Sequence, residues 1–287
     1  MNIFCGKGFC LPLGKRTYTM GILNVTPDSF SDGGKWIDPD TAASHALEMQ
    51  AQGADFLDIG AQSTRPGHIE ISPEEELARL TPVLERLRGN LHIPVSIDTY
   101  FPQVARKTLA LGAQIINDVS GIFNEEMAQV IRDSGAGWIV MHTGGGTADT
   151  QEAYPEGVVS HVRSFFETMV QKAVHFGISE HALCLDPGIG FGKSYEENLT
   201  LIRETGSLRL PGYALLVGVS RKRVIGQATG VEKAENRVIG TVAANVAAIA
   251  GRCDILRVHD VLECVESAKM ADAIFRQPAE GDTEADG

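Results

Sequence analysis

A chain of 287 residues with 43% hydrophobic and 22% charged residues has the balance of a globular protein that can bury a core, and no apolar run long enough to span a bilayer. Its formal net charge of −12, with no Lys/Arg cluster, argues against a nucleic-acid partner, because phosphate neutralisation dominates such binding. The length suits one large α/β barrel, which takes roughly 250 residues, better than two small domains.

The first 16 residues are interrupted by Gly6, Lys7, Gly8, Pro12 and Gly14, so they lack the apolar stretch of a signal peptide and a cytoplasmic location is expected. Residues 1–15 read as a β-hairpin closing the floor of a barrel. Eight short apolar runs then end in polar residues and are each followed by a helix-length segment: 18–24, 56–60, 95–98, 115–118, 138–142, 183–186, 215–218 and 255–258. That alternation predicts a (β/α)8 TIM barrel. Three strands share a lead-in, Gly53-Ala54, Gly112-Ala113 and Gly135-Ala136, where a helix should end and the chain turn. Ser72-Pro73-Glu74-Glu75-Glu76 reads as a helix start with a Ser cap, Pro in the first turn and acids at the positive dipole end. Residues 1–276 form a single domain on this reading, and 277–287 a disordered acidic tail. Long connections at 25–35, 61–72 and 143–156 have the length and glycine content of active-site loops.

Five cysteines without Cys-x-x-Cys spacing, Cys5, Cys10, Cys184, Cys253 and Cys264, argue against a disulfide framework or a zinc site and read as reduced thiols. Cys5 and Cys10 are spaced to meet across the hairpin, a pairing that a reducing compartment disfavours.

In such a barrel the C-terminal strand ends converge on one face and supply the reactive groups. Here they carry Asn24, Asp58, Asp98, Asn117, Asp118, His142, Asp186, Lys222, Arg257, His259 and Asp260, more polar groups than helix capping requires. The run Gly188-Ile189-Gly190-Phe191-Gly192-Lys193-Ser194 superficially looks like a phosphate loop. Pro187 stands where that motif needs its first glycine and removes a backbone donor.

Seven runs then carry a resemblance: Met20-Gly21-Ile22-Leu23-Asn24-Val25-Thr26-Pro27-Asp28-Ser29-Phe30-Ser31-Asp32-Gly33-Gly34, Ser63-Thr64-Arg65-Pro66-Gly67, Ser96-Ile97-Asp98-Thr99, Ile116-Asn117-Asp118-Val119-Ser120-Gly121, Asp186-Pro187-Gly188-Ile189-Gly190-Phe191-Gly192-Lys193, Ser220-Arg221-Lys222 and Arg257-Val258-His259-Asp260. From about residue 20 to 270 the chain resembles the pterin-binding dihydropteroate synthase family. The resemblance implies condensation of a dihydropterin methyl pyrophosphate with p-aminobenzoate, with loss of pyrophosphate, by a homodimeric enzyme that uses Mg²⁺. It implies that Asp98, Asn117 and Asp186 meet the polar edge of the pterin, that Lys222 meets its carbonyl and ring nitrogen, and that Met141, Phe191 and Gly218 also line that pocket. It assigns Arg257 and His259 to the pyrophosphate, and Asn24 with Asp32 to the metal. Phe30, Thr64, Arg65, Pro66 and Ser220 are implied for the p-aminobenzoate pocket. Asp98, Lys222, Arg257 and His259 form the catalytic set, and closure of loops 26–35 and 63–68 would exclude water.

The chain departs from the family pattern at Ala61-Gln62, where members usually have Gly-Glu, at Thr143-Gly144-Gly145, and at Arg223, where many have Ser. Three other readings compete. A methyltetrahydrofolate-binding methyltransferase shares the barrel but has no use for the 26–34 loop or Arg257 and His259. A metal-dependent barrel hydrolase needs converging ligands, often a His-x-His pair, which none of the eight histidines forms. A pterin binder without catalysis is separated by measuring pyrophosphate release.

Overall fold

The structure, a computed structural model, describes residues 2–26, 38–62, 71–144 and 154–276. A two-stranded antiparallel hairpin, β1 (Ile3–Gly6) and β2 (Phe9–Pro12), precedes eight parallel strands: β3 (Tyr18–Asn24), β4 (Phe56–Gly60), β5 (Val95–Asp98), β6 (Ile115–Asp118), β7 (Gly137–Met141), β8 (Leu183–Asp186), β9 (Ala214–Val217) and β10 (Ile255–Val258). Each strand pairs with the next, and β10 returns to β3, with Ile255 opposite Tyr18, to close the barrel. Helices α1 (Pro39–Ala51), α2 (Pro73–Leu87), α3 (Pro102–Ala110), α4 (Glu125–Ser134), α5 (Val158–His175), α6 (Tyr195–Arg203), α7 (Arg223–Thr229), α8 (Val238–Ala250) and α9 (Val261–Phe275) connect the strands. The expected strands match, with β7 and β9 each beginning and ending one residue earlier than the sequence suggests. The region 277–287 lies outside the described residues. No described helix is long and apolar enough to cross a membrane.

Local chemistry accounts for the boundaries. The Ser72 hydroxyl accepts from the Glu75 amide, Asn124 caps α4, and Ser194 with Glu197 forms a reciprocal capping pair at α6, each satisfying amides that have no partner in the first turn. Gly53, Gly112 and Gly135 have φ of 98°, 117° and 68°, the left-handed geometry that ends a helix and that glycine adopts without a Cβ clash.

Parallel strands buried on both faces sort their side chains by a period of two. One set packs outward against the helices. The other fills the barrel: Tyr18, Met20, Phe56, Ile115, Ile139, Cys184, Leu216 and Ile255 form one buried cluster together with Phe4 and Leu13 beside the hairpin. Phe4 and Phe9 meet edge to face with centroids 5.2 Å apart, Phe9 meets Phe56 at 6.1 Å, and the Tyr18 hydroxyl donates to the Pro12 carbonyl at 2.7 Å. A Cβ on Gly6 would stand 2.5 Å from the Gly137 nitrogen, so the hairpin approaches the start of β7 as closely as backbone allows. The hairpin closes the floor, as expected.

One expectation fails here. Cys5 and Cys10 are joined as a disulfide, while Cys184, Cys253 and Cys264 are buried free thiols. The β1–β2 register sets Cys5 directly opposite Cys10, with Cα atoms 4.1 Å apart, and this adjacency outweighs the compartment argument that favoured two reduced thiols.

At the floor, the Asp55 carboxylate accepts from Arg16 at 3.1 and 2.5 Å and from the Thr19 amide at 2.9 Å. It faces away from the strand ends. Because the ion pair is half-exposed, most of its value rests on the backbone bond. Asp55→Asn is expected to cost about 1–2 kcal/mol of stability and to leave steady-state kinetics unchanged, as thermal unfolding and turnover measured on the same preparation will check.

Candidate active site

Two residues along from the apolar floor layer, the same inward face turns polar. Phe56 is followed by Asp58, Ile115 by Asn117, Ile139 by Met141, Cys184 by Asp186, Leu216 by Gly218 and Ile255 by Arg257. The strand period therefore delivers a ring of functional groups above a dry base. Arg257 spans the ring: its Nε donates to Asp58 at 2.6 Å and an Nη donates to Asp98 at 2.8 Å. Asn117 donates its amide to the same Asp58 oxygen at 3.1 Å, while the other Asp58 oxygen is buried without a partner. Both carboxylates are held by one planar fork, a geometry a lysine could not supply.

Burial pushes the Asp98 carboxyl up to about 7; Arg257 pulls it down, and Asp58, Asp118 and Asp186 push it further up. Burial likewise raises Asp186, against the nearby Lys222 ammonium and the bond that its Oδ1 accepts from the Gly188 amide at 2.7 Å. Lys222 falls to about 8, lowered first by burial and held up by Asp186. Its ammonium donates to the Ile189 carbonyl and lies 4.7 Å from the centre of the Phe191 ring. Gly218 leaves space between Lys222 and Arg257: a Cβ there would sit 3.6 Å from the Arg257 Cβ and 4.0 Å from the Lys222 ammonium. The mouth thus presents several acceptor oxygens and one ammonium around a gap with an aromatic edge. That pattern suits a flat heterocycle bearing several N–H donors beside a carbonyl.

On the rim, the Ser220 hydroxyl accepts the His259 amide at 3.1 Å and lies 3.0 Å from His259 Nδ1. When Ser220 donates to Nδ1, Nε2 carries the ring proton. Ser220 and Lys222 share one turn because Arg221, between them, takes φ of 58°, a left-handed conformation that costs any residue with a Cβ. Arg221 is pinned by a two-pronged pair with Asp260, by the Thr241 hydroxyl on its amide and by Arg237 on its carbonyl. No glycine marks this position, so the sequence gives no sign of it.

Asn24 ends β3 half-buried, and its Oδ1 flanks the bare Cα of Gly60, as does Asp98 Oδ2: a Cβ on Gly60 would stand 3.8 Å from the first and 3.7 Å from the second. Among the described residues no group of three or more His, Cys, Asp or Glu side chains gathers to hold a metal. The Asn24 amide oxygen is the kind of ligand a hard cation takes, so this strand end fits such an ion. Asp32, Phe30, Thr64, Arg65 and Pro66 lie outside the described residues.

Other strand-end groups are brought elsewhere. His142 is buried behind the mouth against Tyr154, His161 and Phe165, and burial, then Lys193 and His161, lower its pKa to about 3, so it stays neutral. Asp118 accepts from the Ser120 amide at 3.0 Å and anchors that loop. Gln62, where the family pattern has a carboxylate, donates to the Tyr100 hydroxyl at 2.9 Å, and Arg223 is exposed at the start of α7.

From sequence, Glu76 is one of the acids at the positive dipole end of α2. It is 1% exposed, and its side chain meets the hydroxyl of Thr99, the residue after Asp98. Burial raises it from 4.5 to about 7, Thr99 lowers it, Asp98 raises it and Arg79 lowers it. A carboxyl whose folded pKa lies above its unfolded value contributes stability at low pH, and that contribution is lost as pH rises through about 7. Glu76→Gln is therefore expected to gain on the wild type by up to about 3 kcal/mol as pH moves from about 5 to 8. Denaturant midpoints across that range will check the sign; a constant difference would show that Glu76 is ionised in the fold throughout.

Comparison with known proteins bears on this geometry. The family described as "Pterin binding enzyme" matches residues 20–259. The chain is 46% identical over 265 residues to the dihydropteroate synthase of Synechocystis sp., covering 92% of each. A solved dihydropteroate synthase of Xanthomonas albilineans with 4-aminobenzoic acid superposes with a TM-score of 0.89 at 40% identity, covering 96% of this chain and 99% of that one. The same organism's enzyme with 7,8-dihydropteroate gives 0.86 at 38%, covering 96% and 100%.

Proposed function

Because the chain belongs to the dihydropteroate synthase family of pterin-binding enzymes, we propose that it condenses 6-hydroxymethyl-7,8-dihydropterin pyrophosphate with p-aminobenzoate to give 7,8-dihydropteroate and pyrophosphate. The observation that carries this reading is the barrel mouth itself, where Asp186, Arg257 and Asp98 act on the Lys222 ammonium, Asn117 shares Asp58 with Arg257, and Ser220 meets His259 on the rim.

The pterin's amino and ring N–H groups donate to Asp186 and Asp98, with Asn117 adapting to either role, and Lys222 donates to the carbonyl and ring nitrogen. Met141 and Phe191 bound the ring and Gly218 leaves room for it. The carbon–oxygen bond between the pterin methylene and pyrophosphate breaks, and its electron pair departs on the pyrophosphate oxygen. The arylamine lone pair then bonds to the methylene carbon and the amine's proton is released. Buried carboxylates favour the cationic pterin left by that departure. Arg257 and His259 favour the anion, and the fork from Asp58 and Asp98 fixes how the Arg257 guanidinium is turned. Mg²⁺ would supply further neutralisation of the leaving group, and Asn24 and Asp32 are the residues that would hold it. Phe30, Thr64, Arg65, Pro66 and Ser220 are assigned to p-aminobenzoate, and closure of the loops that carry the first four would keep water from competing.

Purified chain supplied with both substrates and Mg²⁺ should release pyrophosphate and form dihydropteroate, and excess chelator should abolish turnover. Absence of pyrophosphate release with all components present would overturn the reading. Asp186→Asn removes a charge-assisted bond worth about 1.5–3 kcal/mol and should lower kcat/KM roughly 10- to 100-fold.

We further propose a homodimer through α8 and α9, which pack on each other. They present Ile239, 82% exposed, Met270, 63%, Ile274, 56%, and Leu262, 47%, an apolar face of the kind that marks an interface. Sedimentation at micromolar concentration should return twice the chain mass, and Ile239→Glu should return the single mass. A cytoplasmic enzyme without nucleic-acid or membrane partners completes the proposal, supported by the net charge of −12.

A further inference from the structure

The Gly-Lys-Ser run that resembles a phosphate loop has a different use in the fold. After Asp186 the chain bends through Gly188, Gly190 and Gly192, with φ of 63°, 87° and 56°, and returns so that the Lys193 ammonium sits inside its own loop. Its Nζ donates to the carbonyls of Phe191 at 2.8 Å, Gly188 at 2.9 Å and His142 at 3.1 Å. An ammonium has three protons to give, and here three backbone acceptors receive them. Two belong to the loop after β8 and one to the residue that follows β7, so the lysine stitches neighbouring strand ends together. The approach is tight: a Cβ on Gly188 would lie 1.9 Å from the His142 carbonyl oxygen.

What the stitched loop carries is the wall of the gap. Gly188 donates its amide to Asp186, Ile189 offers its carbonyl to the Lys222 ammonium, and the Phe191 ring lies under that ammonium. From outside, Tyr154 donates to the Gly192 carbonyl at 3.1 Å, and Asn198 accepts the Gly190 amide at 2.6 Å and donates to the Lys193 carbonyl at 3.1 Å. Polar contacts to backbone set this loop's shape, and Lys193 makes three of them.

We propose that Lys193 is a positioning residue for the pterin ring: by holding the loop of residues 188–193 against the end of β7 it sets Phe191 and the Lys222 ammonium at the ring-binding gap, and it acts without touching a phosphate. The proposal rests on the pterin-binding reading above. Its test therefore uses direct binding, not turnover. Wild-type chain and Lys193→Met, which keeps the length of the stem and removes the donors, are titrated separately with 6-hydroxymethylpterin, which has no phosphate, and with inorganic pyrophosphate plus Mg²⁺. The expected result is pterin affinity reduced 10-fold or more and pyrophosphate affinity within twofold of wild type. Lys193→Cys alkylated with bromoethylamine restores an ammonium of nearly the same reach and should recover pterin affinity to within threefold. Unchanged pterin affinity, or loss of pyrophosphate affinity in step with it, would overturn the proposal. Should Lys193→Met not fold, the aminoethylated variant and Lys193→Arg are titrated in its place. Failure of these to fold, or wild-type pterin affinity in Lys193→Arg together with none in the aminoethylated chain, would overturn it too. If the wild type itself binds no pterin, the family-based reading fails instead, which the same titration distinguishes.

Discussion

The bridge from Arg257 to Asp58 and Asp98 is the contact on which the mouth of the barrel depends. Three strands, β4, β5 and β10, each contribute one charge to it, and none of those charges tolerates burial alone: an unpaired buried ion costs several kcal/mol. The apolar layer below can be packed only if something above it satisfies these groups without water. The guanidinium does so for two carboxylates at once, and Asn117 adds a neutral donor to Asp58. Replacing the network with hydrocarbon would favour stability, so its presence is explained by the gap it shapes.

The same arrangement sets the electrostatics. Burial and neighbouring carboxylates bring Asp98 up to about 7 while burial brings Lys222 down to about 8. An acid and a base whose ordinary values differ by more than six units, 3.8 against 10.5, are thus brought close to one another. Burial disfavours the charge on each. A ligand that donates to the carboxylate and accepts from the ammonium favours the charged form of each, so binding energy and proton affinity are linked through the same few atoms.

Much of this was legible in the sequence because a parallel strand in a barrel is buried on both faces and must end where polar residues begin. The runs ending at Asn24, Asp98, Asp118 and Asp186 carry that signature, and the structure ends β3, β5, β6 and β8 at those residues. Four features were not legible, for separate reasons. Glu76 stands in an acidic first turn where the helix dipole already accounts for a carboxylate, so only its contact with Thr99 and its burial reveal another setting. Arg221 takes a glycine-like backbone conformation because Asp260, Thr241 and Arg237 hold it there, contacts 16 to 39 residues away. The Cys5–Cys10 bond follows from a register that the spacing permits and that the compartment argument set aside. Lys193 sits in a motif whose best-known use is phosphate binding, and only the path of the loop turns its ammonium back onto carbonyls.

The seam of the barrel has a consequence for how the molecule is made. β10 pairs with β3, and the Arg257–Asp58 contact joins residues 199 apart in the chain. Lower down, Arg276 donates to the carbonyl of Gly14, 262 residues earlier. A ribosome delivers the chain from its N-terminus, so β3 and β9 remain open sheet edges, and Asp58 and Asp98 lack their counterion, until nearly everything else has been synthesised. Open edges invite pairing with other chains. The interval between the emergence of β9 and that of α9 is therefore when a nascent chain is most exposed to aggregation, and when a chaperone that shields strand edges would have the most to do.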